Sequence, residues 1–385
     1  MVKRKICVVV TARPSYSRIK SALQAIKDHP ELELQLVVAA SALLGRYGTA
    51  VKYIEEDGFS IAAKVFNVLE GGNLAAQAKT TGLGIIELTN VFESLNPDAV
   101  VTVADRFETM STAIAASYLN IPLVHVQGGE ITGNIDEKVR HAITKLADIH
   151  FVSTRKAKER VIKMGENEDN VFHTGCPSID LAYEISTTEE LDFDPYERYG
   201  GVGRKPNYKN GYIIVMQHPV TTEYEQSREQ ALATIQAINL MRIPAFWFWP
   251  NVDAGSDGTS NAIRSFRENN PLNHIHFFKN MKPYDFLKFL KNAQCLIGNS
   301  SVGIRECAFL GVPVVNIGTR QNGRERGGNV LDTKHETTFI QAAIQKQINH
   351  GVYGSNNIYG TGQAGVCIAN LLSKVPLTFH KILNY

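Results

Sequence analysis

Short runs of β-branched and aliphatic residues alternate with helix-length amphipathic stretches along the whole chain. In the first half, the runs at 5–10, 34–39, 99–103, 123–126, 150–152 and 171–174 read as strands. Several are apolar almost throughout, the pattern of parallel strands covered by helices on both faces. Helical periodicity fills 15–27, 74–95, 107–119 and 156–164. This alternation predicts a doubly wound α/β domain.

Around 186–210 the pattern lapses. The stretch is acidic, then rich in Gly, Tyr and Pro, and reads as a linker. The alternation then restarts, with strands expected at 212–216, 245–249, 275–278, 295–297 and 313–317. Helices are expected at 223–241, 260–268, 284–292 and 337–350. The expected fold class is α/β with two Rossmann-like domains, 1–185 and 211–365, and an interdomain cleft. In such folds, ligands bind at the carboxyl ends of the strands.

Composition narrows the partners. Lys+Arg at 40 against Asp+Glu at 38 leaves a net charge of +2, which argues against nucleic acid and against a polybasic membrane patch. The apolar runs are strand-sized, too short to span a bilayer. The opening residues read as a first strand, not an export signal. Cys7, Cys176, Cys295, Cys307 and Cys367 are widely spaced and form no C-x-x-C pair. A reducing, cytoplasmic compartment fits that usage.

The residues after the strands carry the candidate chemistry. Thr11-Ala12-Arg13-Pro14-Ser15 opens a helix, where free N–H groups and Arg13 suit a diphosphate. The alternative is that Ser15 is only an N-cap and Arg13 is solvated. Gly298-Asn299-Ser300-Ser301 offers small residues and two hydroxyls. Glu306, one turn on, can accept from ribose hydroxyls. No dinucleotide glycine fingerprint or P-loop is present. Asp105-Arg106-Phe107-Glu108, Gln127-Gly128-Gly129-Glu130 and Asp136-Glu137 bring three carboxylates, Asp105, Glu130 and Asp136, towards one sheet edge. Such a group can divide acid and base roles. His218 is either a proton shuttle or a hydrogen-bonded structural residue. His125 reads as a buried, satisfied histidine, and His274, His335 and His350 as solvated. No cluster has metal-ligand spacing.

In combination these motifs resemble UDP-N-acetylglucosamine 2-epimerases. The resemblance runs through Asp105-Arg106-Phe107-Glu108, Gly128-Gly129-Glu130, Ile135-Asp136-Glu137 and Arg140-His141-Ala142-Ile143-Thr144-Lys145-Leu146. It continues through Gly175-Cys176-Pro177-Ser178, Gln217-His218-Pro219, Pro250-Asn251-Val252-Asp253-Ala254-Gly255-Ser256, Gly298-Asn299-Ser300-Ser301 and Gly318-Thr319-Arg320-Gln321. The stretch 129–146 resembles the hydrolysing branch, which releases UDP and a free 2-epimerised sugar. That branch serves sialic acid biosynthesis and, on UDP-2,4-diacetamido sugars, legionaminic acid.

The resemblance implies a GT-B arrangement, with 366–385 crossing back to the first domain, and a homo-oligomer, dimer or tetramer. It implies a UDP-sugar as substrate and N-acetylmannosamine as product, with no cofactor and no metal. Catalytic roles fall on Asp105, Asp136, His218 and Glu130. Substrate contacts fall on Arg13, Arg106, Gln127, Arg140, Asn251, Asp253, Ser300, Ser301, Glu306 and Arg320. Two departures bear on the sugar pocket. Gln127 stands where the family usually has a glutamate, and an amide cannot act as the base. Ala42 stands where sialic-acid-pathway relatives often carry a histidine. The alternatives are a diacetamido-sugar substrate, a non-hydrolysing epimerase, a GT-B glycosyltransferase and a non-catalytic UDP-sugar sensor.

Overall fold

The structure is a computed structural model that describes residues 2–45, 50–69, 73–132, 135–188, 190–250 and 255–384. The chain divides into two compact units. The first joins Met1–Ile131, Ile135–Leu181 and Tyr359–Tyr385; the second joins Thr132–Asn134 and Ala182–Ile358. The α/β class with two parallel-dominated sheets is the one expected from sequence.

In the first unit the strands are β1 (Arg4–Val10), β2 (Leu32–Ala39), β3 (Ile61–Val65), β4 (Ala99–Val103), β5 (Leu123–Val126), β6 (Ile149–Val152) and β7 (Val171–His173). They lie in the order β3-β2-β1-β4-β5-β6-β7, all parallel. The chain works outward from β1 to β3, then returns to β4 on the other side of β1. That reversal is the switch point at which such sheets open a crevice. β4, β5 and β6 are buried at every position. Apolar clusters cover both faces, one around Ile6, Val8 and Val101, the other around Cys7, Val9 and Val100.

The returning C-terminal segment completes this unit. Helix Ala364–Lys374 contributes Ile368, Ala369 and Leu372 to the cluster that contains Ile19, Ala22 and Leu23. Asp180 accepts from the backbone N–H of Ala364 at 2.9 Å and of Gly365 at 2.6 Å, and from Ser21 Oγ at 2.7 Å. A Cβ on Gly365 would meet the Ser21 backbone at 2.6 Å, so only glycine allows this approach. Arg4 Nη1 donates to the Leu372 and Val375 carbonyls at 2.9 and 2.8 Å.

The second unit holds β8 (Val202–Gly203), β9 (Ile213–Met216), β10 (Ala245–Phe248), β11 (Ile275–Phe278), β12 (Cys295–Gly298), β13 (Val314–Ile317) and β14 (Val330–Thr333). The order is β14-β13-β12-β9-β10-β11-β8, parallel except for β8.

Local differences from the sequence reading have physical causes. The stretch expected as a linker carries helix Pro195–Tyr199 and edge strand β8. Tyr196 docks edge-on to His276, whose two ring nitrogens meet the Gly200 and Arg204 carbonyls. The helix expected at 15–27 breaks at Arg18–Ile19 into Arg13–Ser17 and Lys20–Asp28. Helix Ile135–Leu146 and edge strands β3 and β14 were not expected.

Candidate active site

Three residues that directly follow strands in the first unit take left-handed backbone without being glycine. They are Ala40 after β2 (φ 52°), Ala104 after β4 (φ 65°) and Gln127 after β5 (φ 69°). Each costs roughly 1–3 kcal/mol and persists only where its surroundings enforce it. The strain lies at the carboxyl edge of the sheet, where the sequence places the candidate chemistry.

Arg140 organises this edge. It is fully buried on helix Ile135–Leu146. Its Nη1 donates to the Glu130 carbonyl at 2.7 Å, and its Nη2 donates to Asp105 Oδ2. Burial opposes its charge, but Asp105, Glu130 and Asp136 outweigh that cost and raise its pKa. Of the three carboxylates singled out in the sequence, Asp105 thus pairs directly with this guanidinium, and the charges of Glu130 and Asp136 stabilise it from nearby. Arg18 Nη1 reaches Asp105 Oδ1 at 3.6 Å, a partner the sequence reading missed. Asp136 lies in the first turn of the helix and is only half-buried.

Arg106 is fixed by Glu108, with Nε–Oε2 and Nη2–Oε1 at 3.1 and 3.2 Å. Glu108 also accepts from Ser41 Oγ at 3.1 Å. Glu108 was given no site role, although its spacing from Arg106 was visible in the motif. Arg13 is pulled down to about 10 by burial, with the Arg106 charge acting in the same direction. Two guanidiniums near enough to repel suit a polyanion. Ser15 does not cap its helix; Ala12 holds that position, without a side-chain bond. Ala42 is buried in the apolar cluster.

His125 is buried and satisfied, as expected: Nε2 meets the Ala104 carbonyl at 2.9 Å and Nδ1 meets Thr144 Oγ1 at 3.1 Å. Gln127 Nε2 donates to Cys176 Sγ at 2.9 Å.

In the second unit, the ends of β9 and β12 are locked together. The His218 N–H donates to Asn299 Oδ1 and Asn299 Nδ2 donates to the His218 carbonyl, each at 2.8 Å. The Asn299 carbonyl accepts from Gln321 Nε2 at 2.8 Å and Arg320 Nη1 at 3.2 Å. Gly298 has φ 127°, and a Cβ there would stand 2.2 Å from the Met216 carbonyl oxygen. Ser300 caps the next helix at the Val302 N–H. Ser301, Glu306 and His218 are buried here. Asn299 and Gln321 were in the quoted motifs but carried no assigned role.

Asn251 and Asp253 lie outside the described residues. His274, expected in solvent, is buried, and its Nε2 meets the Ile238 carbonyl at 3.3 Å. His335 is half-buried, against the spot where a Gly318 side chain would stand. His350 is exposed as expected. No helix among the described residues is long and apolar enough to cross a membrane.

Known proteins resemble this chain over nearly its whole length. The family described as UDP-N-acetylglucosamine 2-epimerase matches residues 24–373. UDP-N,N'-diacetylbacillosamine 2-epimerase (hydrolyzing) of Legionella pneumophila is 34% identical over 99% of this chain and 98% of its own. UDP-N-acetylglucosamine 2-epimerase of Neisseria meningitidis is 29% identical over 94% of this chain and 92% of its own. The crystal structure of UDP-GlcNAc 2-epimerase from Neisseria meningitidis bound to UDP-GlcNAc superposes with a TM-score of 0.77 at 18% identity, covering 96% of this chain and 99% of that one.

Proposed function

Because this chain belongs to the UDP-N-acetylglucosamine 2-epimerase family, we propose that it is a hydrolysing UDP-sugar 2-epimerase whose preferred substrate is a UDP-2,4-diacetamido-2,4,6-trideoxy sugar. The observation that carries the chemistry is Arg140, a buried cation paired with Asp105, bonded to the Glu130 carbonyl and stabilised by the charges of Glu130 and Asp136. The substrate class is supported by the full-length relative from Legionella pneumophila, named for UDP-N,N'-diacetylbacillosamine. UDP-N-acetylglucosamine, giving N-acetylmannosamine for sialic acid synthesis, is the second reading, favoured by the name of the Neisseria meningitidis relative.

The reaction begins as an elimination. A carboxylate removes the proton at C2 while the C1–O bond to the diphosphate breaks, leaving UDP and a 2-acetamidoglucal. Water then adds its oxygen to C1, and a proton returns to C2 on the opposite face. UDP-sugar and water thus become UDP and a free sugar inverted at C2.

The C2 proton is weakly acidic, so departure of the diphosphate must be well advanced. In the first unit Arg13 and Arg106, and in the second Ser300, Ser301 and Arg320, are the donors assigned to phosphate charge, each well-placed donor contributing roughly 3–4 kcal/mol. Glu306 takes the ribose. Asp136, half-buried in the first turn of its helix, is the carboxylate assigned access to the sugar. Glu130 serves the opposite face, and Asp105, held by Arg140 and Arg18, sets the local field. His218 shuttles the remaining proton. Each general acid or base step adds roughly 10²–10⁴-fold.

Incubating the enzyme with either UDP-sugar in deuterated water tests the reading. The expected products are UDP and a free sugar carrying deuterium at C2. A product that remains a UDP-sugar points instead to the non-hydrolysing reaction. Transfer to an acceptor without deuterium points to a glycosyltransferase.

A further inference from the structure

Cys176 is a buried thiol that the reaction above does not use. Its Sγ accepts from Gln127 Nε2 at 2.9 Å and stands 3.1 Å from Ser178 Oγ. Both partners of the thiol–amide contact are fixed through their backbones. The Gln127 N–H donates to the Phe151 carbonyl at 2.8 Å, and the Cys176 N–H donates to the Tyr359 carbonyl at 2.7 Å. Gln127 is only 1% exposed, and its Oε1 has no hydrogen-bond partner among the described residues.

A side-chain amide is a donor at one end and an acceptor at the other, and the two ends have nearly the same shape. Rotation by half a turn would exchange them. The thiol removes that freedom when its own S–H donates to Ser178 Oγ: Sγ can then only accept, Nε2 is the end that faces it, and the carbonyl oxygen is left to be satisfied. A buried acceptor with no protein partner calls for a donor from elsewhere.

We propose that Cys176 is a positioning residue that sets the orientation of the Gln127 amide, so that Gln127 Oε1 accepts a hydrogen bond from an N–H or O–H group of the bound sugar. This rests on the reading of the edge as a sugar site. Gln127 then fixes the sugar ring without exchanging a proton, and it disfavours ligands that present an acceptor at that point. The thiol acts as a hydrogen-bonding spacer and not as a nucleophile.

The test is a double-mutant cycle on Cys176→Val and Gln127→Met, with Cys176→Ser as the conservative variant. Initial rates give kcat and KM on whichever of the two UDP-sugars the wild type hydrolyses faster. Calorimetry gives UDP affinity, which doubles as the folding control. If the wild type hydrolyses neither sugar, the epimerase reading fails, and the same cycle is read from UDP-sugar affinity instead.

Cys176→Val and Gln127→Met should each lower kcat/KM, or UDP-sugar affinity, at least tenfold. UDP affinity should stay within twofold of wild type. The double variant should be no more than about twofold worse than Gln127→Met alone, since coupled residues are not additive. Cys176→Ser, whose hydroxyl accepts the same N–H, should recover most of the loss. Should Cys176→Val fail to bind UDP, Cys176→Ala takes its place in the cycle. Losses that multiply, or a valine or alanine variant indistinguishable from wild type, would overturn the proposal.

Discussion

Arg140 and Asp105, 35 residues apart in sequence, form a buried ion pair across the carboxyl edge of the first sheet. The pair joins the residue that follows the β4 turn to the middle of helix Ile135–Leu146, so the edge and the helix hold their positions together. Removing one member of a buried pair leaves the other charge uncompensated, typically at about 3–5 kcal/mol. Arg140→Met should therefore lower the denaturant midpoint by a free energy of that order and abolish UDP release. Arg140→Lys should recover only part, because one ammonium cannot serve both the carboxylate and the Glu130 carbonyl in fork geometry. Urea unfolding beside a UDP-release assay reads both effects.

Asp136→Asn and His218→Ala should reduce kcat by roughly 10²–10⁴-fold. Both groups are assigned to proton movement, so UDP affinity should stay within about tenfold. Calorimetric titration with UDP and steady-state rates separate the two. A variant that turns over like the wild type removes its residue from the mechanism.

Gln127→Glu should not raise UDP release on either sugar. A carboxylate has no N–H for Cys176 Sγ and could only accept the thiol's own proton, so the contact that orients position 127 is reversed and its link to Ser178 competes. It would also add negative charge to an edge that already carries Asp105, Glu130 and Asp136, and like charges raise one another's pKa values. A large gain of turnover would show instead that this chain is a relative lacking its base.

His125 supplies a pH prediction. Burial lowers its pKa to about 3, against the favourable bond to the Ala104 carbonyl. An unfolded histidine takes up a proton below about pH 6.5, while the folded one stays neutral. The unfolded state is thus favoured as pH falls from about 6.5 towards 3, by about 1.4 kcal/mol per pH unit. Burial also lowers the pKa of His150, which acts in the same direction. In His125→Gln, the slope of unfolding free energy between pH 6 and pH 4 should be shallower by that amount. An unchanged slope would place the titration elsewhere.

Much of the fold could be read from sequence because its central strands are buried on both faces and therefore uniformly apolar. β4 and β5 were expected at their observed bounds. The edge strands escaped notice for the opposite reason. β3, Ile-Ala-Ala-Lys-Val, alternates half-buried and exposed positions before a single buried one at Val65, and β14 has no fully buried position. The aromatic excursion before β9 has no period of its own, since its order comes from the Tyr196 ring packing edge-on and tilted against rings of β10 and β11. At the candidate site, the carboxylates could be recognised because they cluster in short motifs. Arg18 and Cys176 gain their relevance only from strand order. His274 was misjudged because a turn position says nothing of the helix that covers it.

The return of Tyr359–Tyr385 to the first unit has a consequence for synthesis. As the chain leaves the ribosome, residues 182–358 can close their sheet while the earlier unit still lacks the helix that fills its core beside Leu23. Domains generally mature in the order in which they emerge; here the later one can mature first. Until Ala364 and Gly365 reach Asp180, the nascent first unit carries an open apolar slot, and a message truncated anywhere before residue 359 leaves that slot permanently empty.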